Sequence, residues 1–263
     1  MKRYYALLSA LLLIAMVSAC AASPTAAPAA DTTTETESAA DTPMANTGEP
    51  VAGGTLRVAF QNEWAGLDPH VASSYSTYQI LNNVLEGLTF YDDGMNLVPW
   101  LAESWEQSED GLTWTFHLRQ GVKFSNGREM TAEDVKWSFE RLIDPATGAG
   151  NAPRVGPPET QIVVVDDYTV AITHPEVFGI FPQSIGFDKS TGIVAKESLE
   201  EDGTINIPIG TGPFQISKVE GTTRLVLTKN ENYWQEGLPY LDSIEIAPIP
   251  DDTVRETALR GGE

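Results

Sequence analysis

Residues 21–52 contain no aromatic residue and consist largely of Ala, Thr, Pro, Glu and Asp. A segment of this composition cannot bury enough apolar surface to offset its conformational entropy. We therefore predict a disordered tether over residues 21–52, with a root-mean-square span of roughly 30 Å on a scaling of about 5–6 Å × √n. The packed core must then come from residues 53–263, which suffice for one large domain or two small ones.

The residues before the tether have the pattern of an export signal. Lys2 and Arg3 precede an apolar run, Tyr4 to Val17, that is too short to span a bilayer comfortably. The ending, Val17-Ser18-Ala19-Cys20, resembles the lipobox of bacterial lipoproteins, in which the cysteine thiol receives a diacylglycerol. We predict a signal peptide over residues 1–20 and a lipid anchor on Cys20 outside the cytoplasm, in the periplasm or at the cell surface. Ordinary signal cleavage with Cys20 as a bystander is the alternative.

Charge and residue counts exclude several classes of function. The formal net charge is −21, and nucleic acid binding is disfavoured because it needs cations that replace the counterions of the phosphates. Cys20 is the only cysteine, so an intrachain disulfide cannot form. The three histidines, at 70, 117 and 174, are far apart and have no neighbouring cysteine. We predict no metal site and no cofactor.

The folded part mixes strand and helix patterns without a regular βαβ repeat, which predicts a mixed α/β (α+β) fold. Alternation predicts a strand over 55–60 and hairpins over 100–118 and 162–173, the first turning at Asp110-Gly111. A capping box at Thr131 to Asp134 predicts a helix that ends at Asp144-Pro145. The remaining predicted elements are helices over 74–85 and 251–260 and strands over 122–124, 225–228 and 244–246.

Several motifs resemble family 5 extracellular solute-binding proteins, which are the oligopeptide, dipeptide and nickel binders of ABC importers. They occur in the same order and at similar spacing over roughly residues 54–263. The motifs are Leu67-Asp68-Pro69-His70, Pro99-Trp100-Leu101-Ala102-Glu103-Ser104-Trp105, Gly121-Val122-Lys123-Phe124-Ser125-Asn126-Gly127, Thr131-Ala132-Glu133-Asp134-Val135, Gly210-Thr211-Gly212-Pro213-Phe214 and Asn230-Glu231-Asn232-Tyr233-Trp234.

This resemblance implies a two-lobed, clamshell fold like that of periplasmic binding proteins, about twice as long as this chain. We expect an N-terminal fragment that holds the first lobe and the start of the hinge between the lobes, with most of the second lobe absent. Gly210, Gly212 and Pro213 are the predicted hinge positions, where the chain turns between lobes. The expected role is a monomeric receptor that captures a small solute, with peptide favoured, and docks on the permease subunits of an ABC importer.

The resemblance also places the segment after the first predicted strand at the ligand cleft. Glu63 stands where oligopeptide binders place a residue against the ligand backbone, and Ala65 lies beside it. Trp64 is either a stacking surface for the ligand or an aromatic residue on the lobe surface. Trp105, Trp114 and Phe116 alternate in a hairpin and are expected to be core residues.

Two further segments are ligand-binding candidates. Ser74, Tyr75 and Tyr78 lie at the start of the second predicted element, and a helix start favours anions such as a ligand carboxylate. Asn151 and Arg154 belong to loop 148–154, which lacks the Ser-Pro-Tyr sequence of many peptide binders. Arg154 is expected either to hold a ligand carboxylate through two parallel hydrogen bonds or to be a solvated loop residue.

Other functions remain open at this point. The solute could be an oligosaccharide, an opine or a nickel chelate instead of a peptide. A secreted hydrolase is a remote alternative, because the sequence has no Gly-x-Ser-x-Gly, no His-Glu-x-x-His and no Cys–His pair. We therefore expect no enzyme activity. A lipoprotein that only scaffolds or assists folding would show no saturable binding of a small ligand.

Overall fold

The computed structural model describes residues 50–262. The predicted signal peptide, Cys20 and the tether up to residue 49 lie outside these residues. Within the described part, no helix is long and apolar enough to cross a membrane. The strands are β1 (Thr55–Phe60), β2 (Thr89–Tyr91), β3 (Leu97–Pro99), β4 (Ala102–Gln107), β5 (Thr113–Leu118), β6 (Gln161–Asp166), β7 (Thr169–Thr173), β8 (Phe214–Glu220), β9 (Arg224–Lys229) and β10 (Ser243–Pro248). The helices are α1 (Tyr75–Leu81), α2 (Ala132–Ile143), α3 (Phe181–Ile185) and α4 (Asp252–Gly261).

The first sheet has the strand order β1-β10-β9-β8. β1 runs parallel to β10, whereas β10, β9 and β8 are antiparallel neighbours. Alternate residues of its strands point into a core that also contains Trp64 and the buried face of α1. The predicted strands over 55–60, 225–228 and 244–246 are confirmed by β1, β9 and β10.

The second sheet has the order β4-β5-β7-β6 and is antiparallel throughout. Both predicted hairpins are confirmed, and Gly111 has a φ of 74° at the first turn, a backbone conformation that favours glycine. Trp105 lies opposite Phe116 across β4 and β5. Phe116 is fully buried and Trp114 nearly so, which confirms that these aromatics belong to the core.

α2 packs on the second sheet and begins as predicted. The Asp134 carboxylate accepts a hydrogen bond from the Thr131 N–H at 2.9 Å, which is the reciprocal half of a capping box. Its apolar face, including Val135, Phe139 and Leu142, is buried in the core. The helix ends at Ile143, before Asp144-Pro145, as expected.

Two predicted elements differ from the structure. The helix predicted over 74–85 ends at Leu81, because the Asn83 side chain turns back and donates to the carbonyls of Gln79 and Ile80. The strand predicted over 122–124 is wrong, since only an isolated bridge between Lys123 and Glu129 forms there. β2, β3 and β8 were not predicted. The mixture of sheets and helices confirms the predicted mixed α/β class.

The described residues form two hydrophobic cores joined by polar bridges. The first sheet and α1 surround one core, and the second sheet with α2 surrounds the other. Ser138 of α2 joins them, because its hydroxyl donates to the Val194 carbonyl at 3.2 Å and accepts from the Val194 N–H at 3.0 Å. These bridges fix α2 against the segment that passes between the two sheets.

Candidate functional site

The three segments predicted to bind ligand converge on α1. Thr77, which the sequence did not single out, connects the first two. Its hydroxyl accepts from the Ala65 N–H at 3.2 Å and from the Ser74 hydroxyl at 2.8 Å, and donates to the Gly66 carbonyl at 3.1 Å. Thr77 is fully buried, so this hydroxyl holds the chain after β1 against the start of α1.

Tyr78 connects α1 to the third segment. The Asn151 side-chain amide donates to the Tyr78 hydroxyl at 2.8 Å, and that hydroxyl donates to the Ala72 carbonyl. Burial raises the pKa of Tyr78 above its ordinary value, and the negative charge of Asp188 raises it further. The hydroxyl therefore stays protonated and acts as a donor at neutral pH.

Arg154 lies in the same neighbourhood and is already paired. Its guanidinium is 2.8 Å from the Asp188 carboxylate and 4.9 Å from the ring centroid of Phe187, whose side chain is 65% exposed. Asp188 also caps the short 3-10 helix Lys189–Thr191 by accepting from the Ser190 N–H. A ligand carboxylate on Arg154 would therefore share the guanidinium with Asp188.

We call Tyr78, Asn151, Arg154, Phe187 and Asp188 the α1 cluster. It offers one exposed aromatic face, an amide, a phenol hydroxyl and a pair of opposite charges. Such a set suits a solute that carries both acidic and basic groups. Tyr75, in the first turn of α1, is 78% exposed and free to contact a solute.

Ser74 has a structural role at the start of α1. It is the N-cap of α1, and its hydroxyl accepts the Thr77 N–H at 3.1 Å while donating to the Thr77 hydroxyl. The hydroxyl is therefore already engaged. Because α1 has seven residues, its start adds little to anion binding.

Trp64 is neither a ligand-stacking surface nor an aromatic residue on the lobe surface, so both expectations for it are wrong. Its side chain is 3% exposed and belongs to the core of the first sheet. Trp64 also lines a cavity of about 400 Å³ beside residues 205–207. Glu63, in contrast, is exposed and accepts a hydrogen bond from Thr222 at 2.9 Å.

The predicted hinge residues lie where two chain segments cross. The Gly212 N–H donates to the Val84 carbonyl at 2.9 Å, and the Pro213 carbonyl accepts from the Asn230 N–H at 2.9 Å. A Cβ on Gly210 would be 2.0 Å from the Val84 carbonyl oxygen. The glycines therefore permit close backbone approach, and a hinge motion stays a prediction.

Residues 96–263 match the family described as "Bacterial extracellular solute-binding proteins, family 5 Middle". The chain belongs to this family. As a family 5 solute-binding protein it falls among binding proteins and not among enzymes, in agreement with the sequence.

Relatives and solved structures agree with this assignment. The glutathione-binding protein GsiB of Salmonella typhimurium is 34% identical over 208 residues, which cover 78% of this chain and 40% of GsiB. DppA of Helicobacter pylori, solved with the peptide STSA, superposes with a TM-score of 0.72 at 30% identity, over 81% of this chain and 46% of DppA. NikA of Brucella suis, solved with Fe(III)-EDTA, also has a TM-score of 0.72 at 30% identity, covering 80% of this chain and 42% of NikA. The family 5 chain thus spans about 40% of the length of the curated relatives it matches.

The family motifs meet at a buried carboxylate that the sequence analysis did not single out. Glu86 is 3% exposed and accepts four hydrogen bonds. The donors are Trp100 Nε1 at 2.7 Å, Thr211 Oγ1 at 2.8 Å, Trp234 Nε1 at 2.9 Å and the Tyr233 hydroxyl at 3.2 Å. We call these five residues the Glu86 hub. One signal could have found it, because a single carboxylate in the apolar run Val84-Leu85-Glu86-Gly87-Leu88 must be paired if it is buried.

A second buried network uses the Leu67-Asp68-Pro69-His70 motif. Arg141 of α2 binds the Asp68 carboxylate through two hydrogen bonds, of 2.6 and 3.0 Å, and donates to His70 Nδ1 at 2.7 Å. His70 is 1% exposed. Burial, followed by the Arg141 charge, lowers the pKa of His70 to about 3. The imidazole is therefore neutral, and its proton is on Nε2.

Within residues 50–262, no group of three or more His, Cys, Asp or Glu side chains is arranged to hold a metal ion. His70 and His174 are both buried, whereas His117 is on the exposed side of β5. The three imidazoles therefore lie in separate environments and do not form one site.

Proposed function

We propose that this chain is part of an extracytoplasmic receptor that captures a small solute for an ABC importer. The support is its membership in a family of extracellular solute-binding proteins and the names of its relatives. The solute we favour is a peptide or a peptide-like molecule. GsiB is named for glutathione, which is a tripeptide, and DppA of Helicobacter pylori was solved with a peptide.

The observation that carries the proposal is the convergence of the three predicted segments on α1. In this proposal the α1 cluster contributes to one wall of the solute site. Arg154 and Asp188 meet the ionised ends or side chains of a zwitterionic solute, and Asn151 meets a backbone amide. Phe187 and Tyr75 supply apolar contact. Charged pairs with parallel hydrogen bonds would give the site much of its selectivity.

Other solutes remain alternatives within the same receptor role. An opine or a metal chelate also carries several carboxylates, and NikA of Brucella suis was solved with Fe(III)-EDTA. An oligosaccharide fits the charged pair less well, because it offers hydroxyl groups and no ionised ends. We favour peptides over these because a peptide matches both charges of the Arg154–Asp188 pair.

The receptor is proposed to act as a monomer, to dock on the permease subunits of the importer, and to be held at the membrane by lipidated Cys20. Solute binding would favour a closed arrangement of two lobes, and only a solute that binds this arrangement better can drive closure. The permease would then recognise the closed form.

The test is a thermal-shift and calorimetry screen of the full-length protein. The panel contains glutathione, a tetrapeptide, an opine, a nickel chelate and an oligosaccharide. A solute at a hundredfold excess over its dissociation constant adds about 2.7 kcal/mol of stability. We expect a peptide to give the largest shift. If no member of the panel shifts the melting temperature, the receptor proposal fails.

The location of the site is tested by matched arginine variants. Arg154→Gln removes the charge of the α1 cluster and is expected to weaken binding of the best solute at least tenfold. Arg260→Gln removes an exposed arginine at the end of α4 and should leave affinity unchanged. Equal affinity in the Arg154→Gln variant and the wild type would exclude the α1 cluster as part of the site.

A further inference from the structure

A cavity lies in the lobe of the second sheet, beside the end of α2 and the loop that follows it. It has a volume of about 830 Å³, within the range of small-molecule sites. Loop 144–158 and the segment 174–178 enclose it. The lining residues are Ile143, Asp144, Pro145, Gly148, Ala149, Gly150, Ala152, Pro153, Gly156, Pro157, Pro158, His174, Pro175, Glu176, Val177 and Phe178.

The charged side chains of this lining are all acidic. Its only polar side chains are Asp144, His174 and Glu176, and no Lys or Arg is among the lining residues. The two carboxylates are exposed and form no ion pair within residues 50–262. They are therefore acceptors whose charge is not neutralised by the protein.

His174 is the third polar side chain of the lining. It is 3% exposed, and its Nε2 lies 2.8 Å from the Val155 carbonyl, so Nε2 carries the proton. Nδ1 is then a lone-pair acceptor, and no hydrogen-bond partner for it exists among the described residues. Burial also lowers the pKa of His174, which keeps the ring neutral. An unpartnered buried polar atom of this kind calls for an explanation.

The backbone supplies few donors to the cavity. Five lining residues are prolines, which have no N–H. The N–H groups of Gly148, Ala152 and Gly156 are used within their own loop, where they donate to the carbonyls of Pro145, Ala149 and Ala152. A ligand that fits this lining must therefore bring donors and positive charge, together with an apolar body for the proline, valine and phenylalanine walls.

We propose that this cavity binds a small organic ammonium compound with an apolar body. The ammonium group lies between Asp144 and Glu176, and the apolar body packs on Phe178 and the prolines. Phe178 packs against His174 at a centroid distance of 5.1 Å and lines the cavity, where its ring can contribute a cation–π contact. The loop that carries Asn151 and Arg154 also lines this cavity, but Asp144, Glu176 and Phe178 are not members of the α1 cluster, so the two proposals can fail separately.

The probe is 2-phenylethylamine, measured by calorimetry with the full chain. The matched controls are 3-phenylpropionate, which reverses the charge, and 2-phenylethanol, which removes it. We expect saturable binding of the amine, at least tenfold weaker binding of the alcohol and no measurable binding of the carboxylate. Affinity for the amine should fall with added salt, since the carboxylates are exposed. Equal affinity for the three compounds, or no binding of the amine, would overturn the proposal.

Variants locate the amine. Asp144→Asn and Glu176→Gln should each weaken binding about threefold to tenfold, whereas Glu109→Gln, in the turn between β4 and β5, should have no effect. Gly150→Trp fills the cavity and should abolish binding. A Cβ at Gly150 meets no atom within 4 Å, so the position accepts a side chain, and thermal unfolding checks that the variant is folded. Unchanged binding in Gly150→Trp would contradict the site.

Discussion

At the scale of single residues, the buried Glu86 carboxylate is held in place by four side-chain donors. Each carboxylate oxygen accepts two hydrogen bonds, from Trp100 and Tyr233 at one oxygen and from Thr211 and Trp234 at the other. Burial raises the pKa of Glu86, and the hydrogen bonds from Thr211, Trp234 and Trp100, together with the charge of Lys189, oppose that effect. The four donors of the hub therefore replace the hydrogen bonds from water that the carboxylate loses on burial.

Glu86→Gln should destabilise the protein by about 2–3 kcal/mol, because either orientation of the amide places an NH₂ group against an indole N–H, which cannot accept a hydrogen bond. The measurement is urea unfolding at neutral pH. Glu103→Gln, which loses an exposed carboxylate 3.5 Å from Arg119, is the control and should change the free energy of unfolding by less than about 0.5 kcal/mol. Equal stability of the Glu86→Gln variant and the wild type would show that the hub does not depend on its four acceptor contacts.

His70 predicts a specific pH dependence. Its pKa is about 3 in the folded chain and about 6.5 in the unfolded chain. Below about pH 6.5 His70 is protonated in the unfolded chain but stays neutral in the folded chain. The free energy of unfolding therefore falls as the pH falls. Between about pH 7.5 and pH 5 the loss from this residue is about 2 kcal/mol.

His70→Gln keeps an acceptor for Arg141 and removes the titrating group. The difference in unfolding free energy between pH 7.5 and pH 5 should therefore be about 2 kcal/mol smaller in this variant than in the wild type. Gln61→Ala, which removes an exposed side chain without a titrating group, should retain the wild-type pH dependence. A wild-type slope in His70→Gln would mean that His70 does not titrate as the buried geometry predicts.

At the scale of elements, the crossing of residues 210–212 over the end of α1 is a point of close packing. In Gly210→Ala the new Cβ would lie 2.0 Å from the Val84 carbonyl oxygen, which is rigid backbone. We expect destabilisation of about 3 kcal/mol, the upper part of the range for overpacking. Gly179→Ala is the control, since its Cβ would meet no atom within 4 Å. Thermal unfolding compares the two, and a similar melting temperature for both variants would contradict the crowded crossing.

Elements with local signals could be predicted from the sequence. Asp110-Gly111 determines the turn between β4 and β5, and Thr131 with Asp134 determines the start of α2. The pairing of β1 with β10 could not be predicted, because Thr55 and Ser243 are 188 residues apart. The early end of α1 depends on one side chain, Asn83, whose polar contacts compete with the apolar pattern that continues beyond Leu81.

At the scale of the whole molecule, the candidate site was predicted only in part. The sequence identified the three segments near α1, but the contacts that join them, at Thr77 and between Tyr78 and Asn151, depend on the fold. Trp64 illustrates the limit, because the sequence suggested a ligand surface or the lobe surface, whereas the fold buries the side chain in a core. Burial is a property of the folded chain.

Cys20 determines the proposed location of the whole molecule, because a lipid on its thiol would hold the protein at the membrane. A lipid on its thiol would bury two acyl chains at about 0.8 kcal/mol per CH₂ group, which is enough for stable anchoring. Cys20→Ser cannot form the thioether and should move the protein from the membrane fraction to the soluble fraction, with loss of labelling by radioactive palmitate. Ser23→Ala, three residues later, leaves the thiol intact and should remain in the membrane fraction. If Cys20→Ser remained with the membrane, another part of the chain would have to supply the anchor, and Cys20 would be a bystander of ordinary signal cleavage.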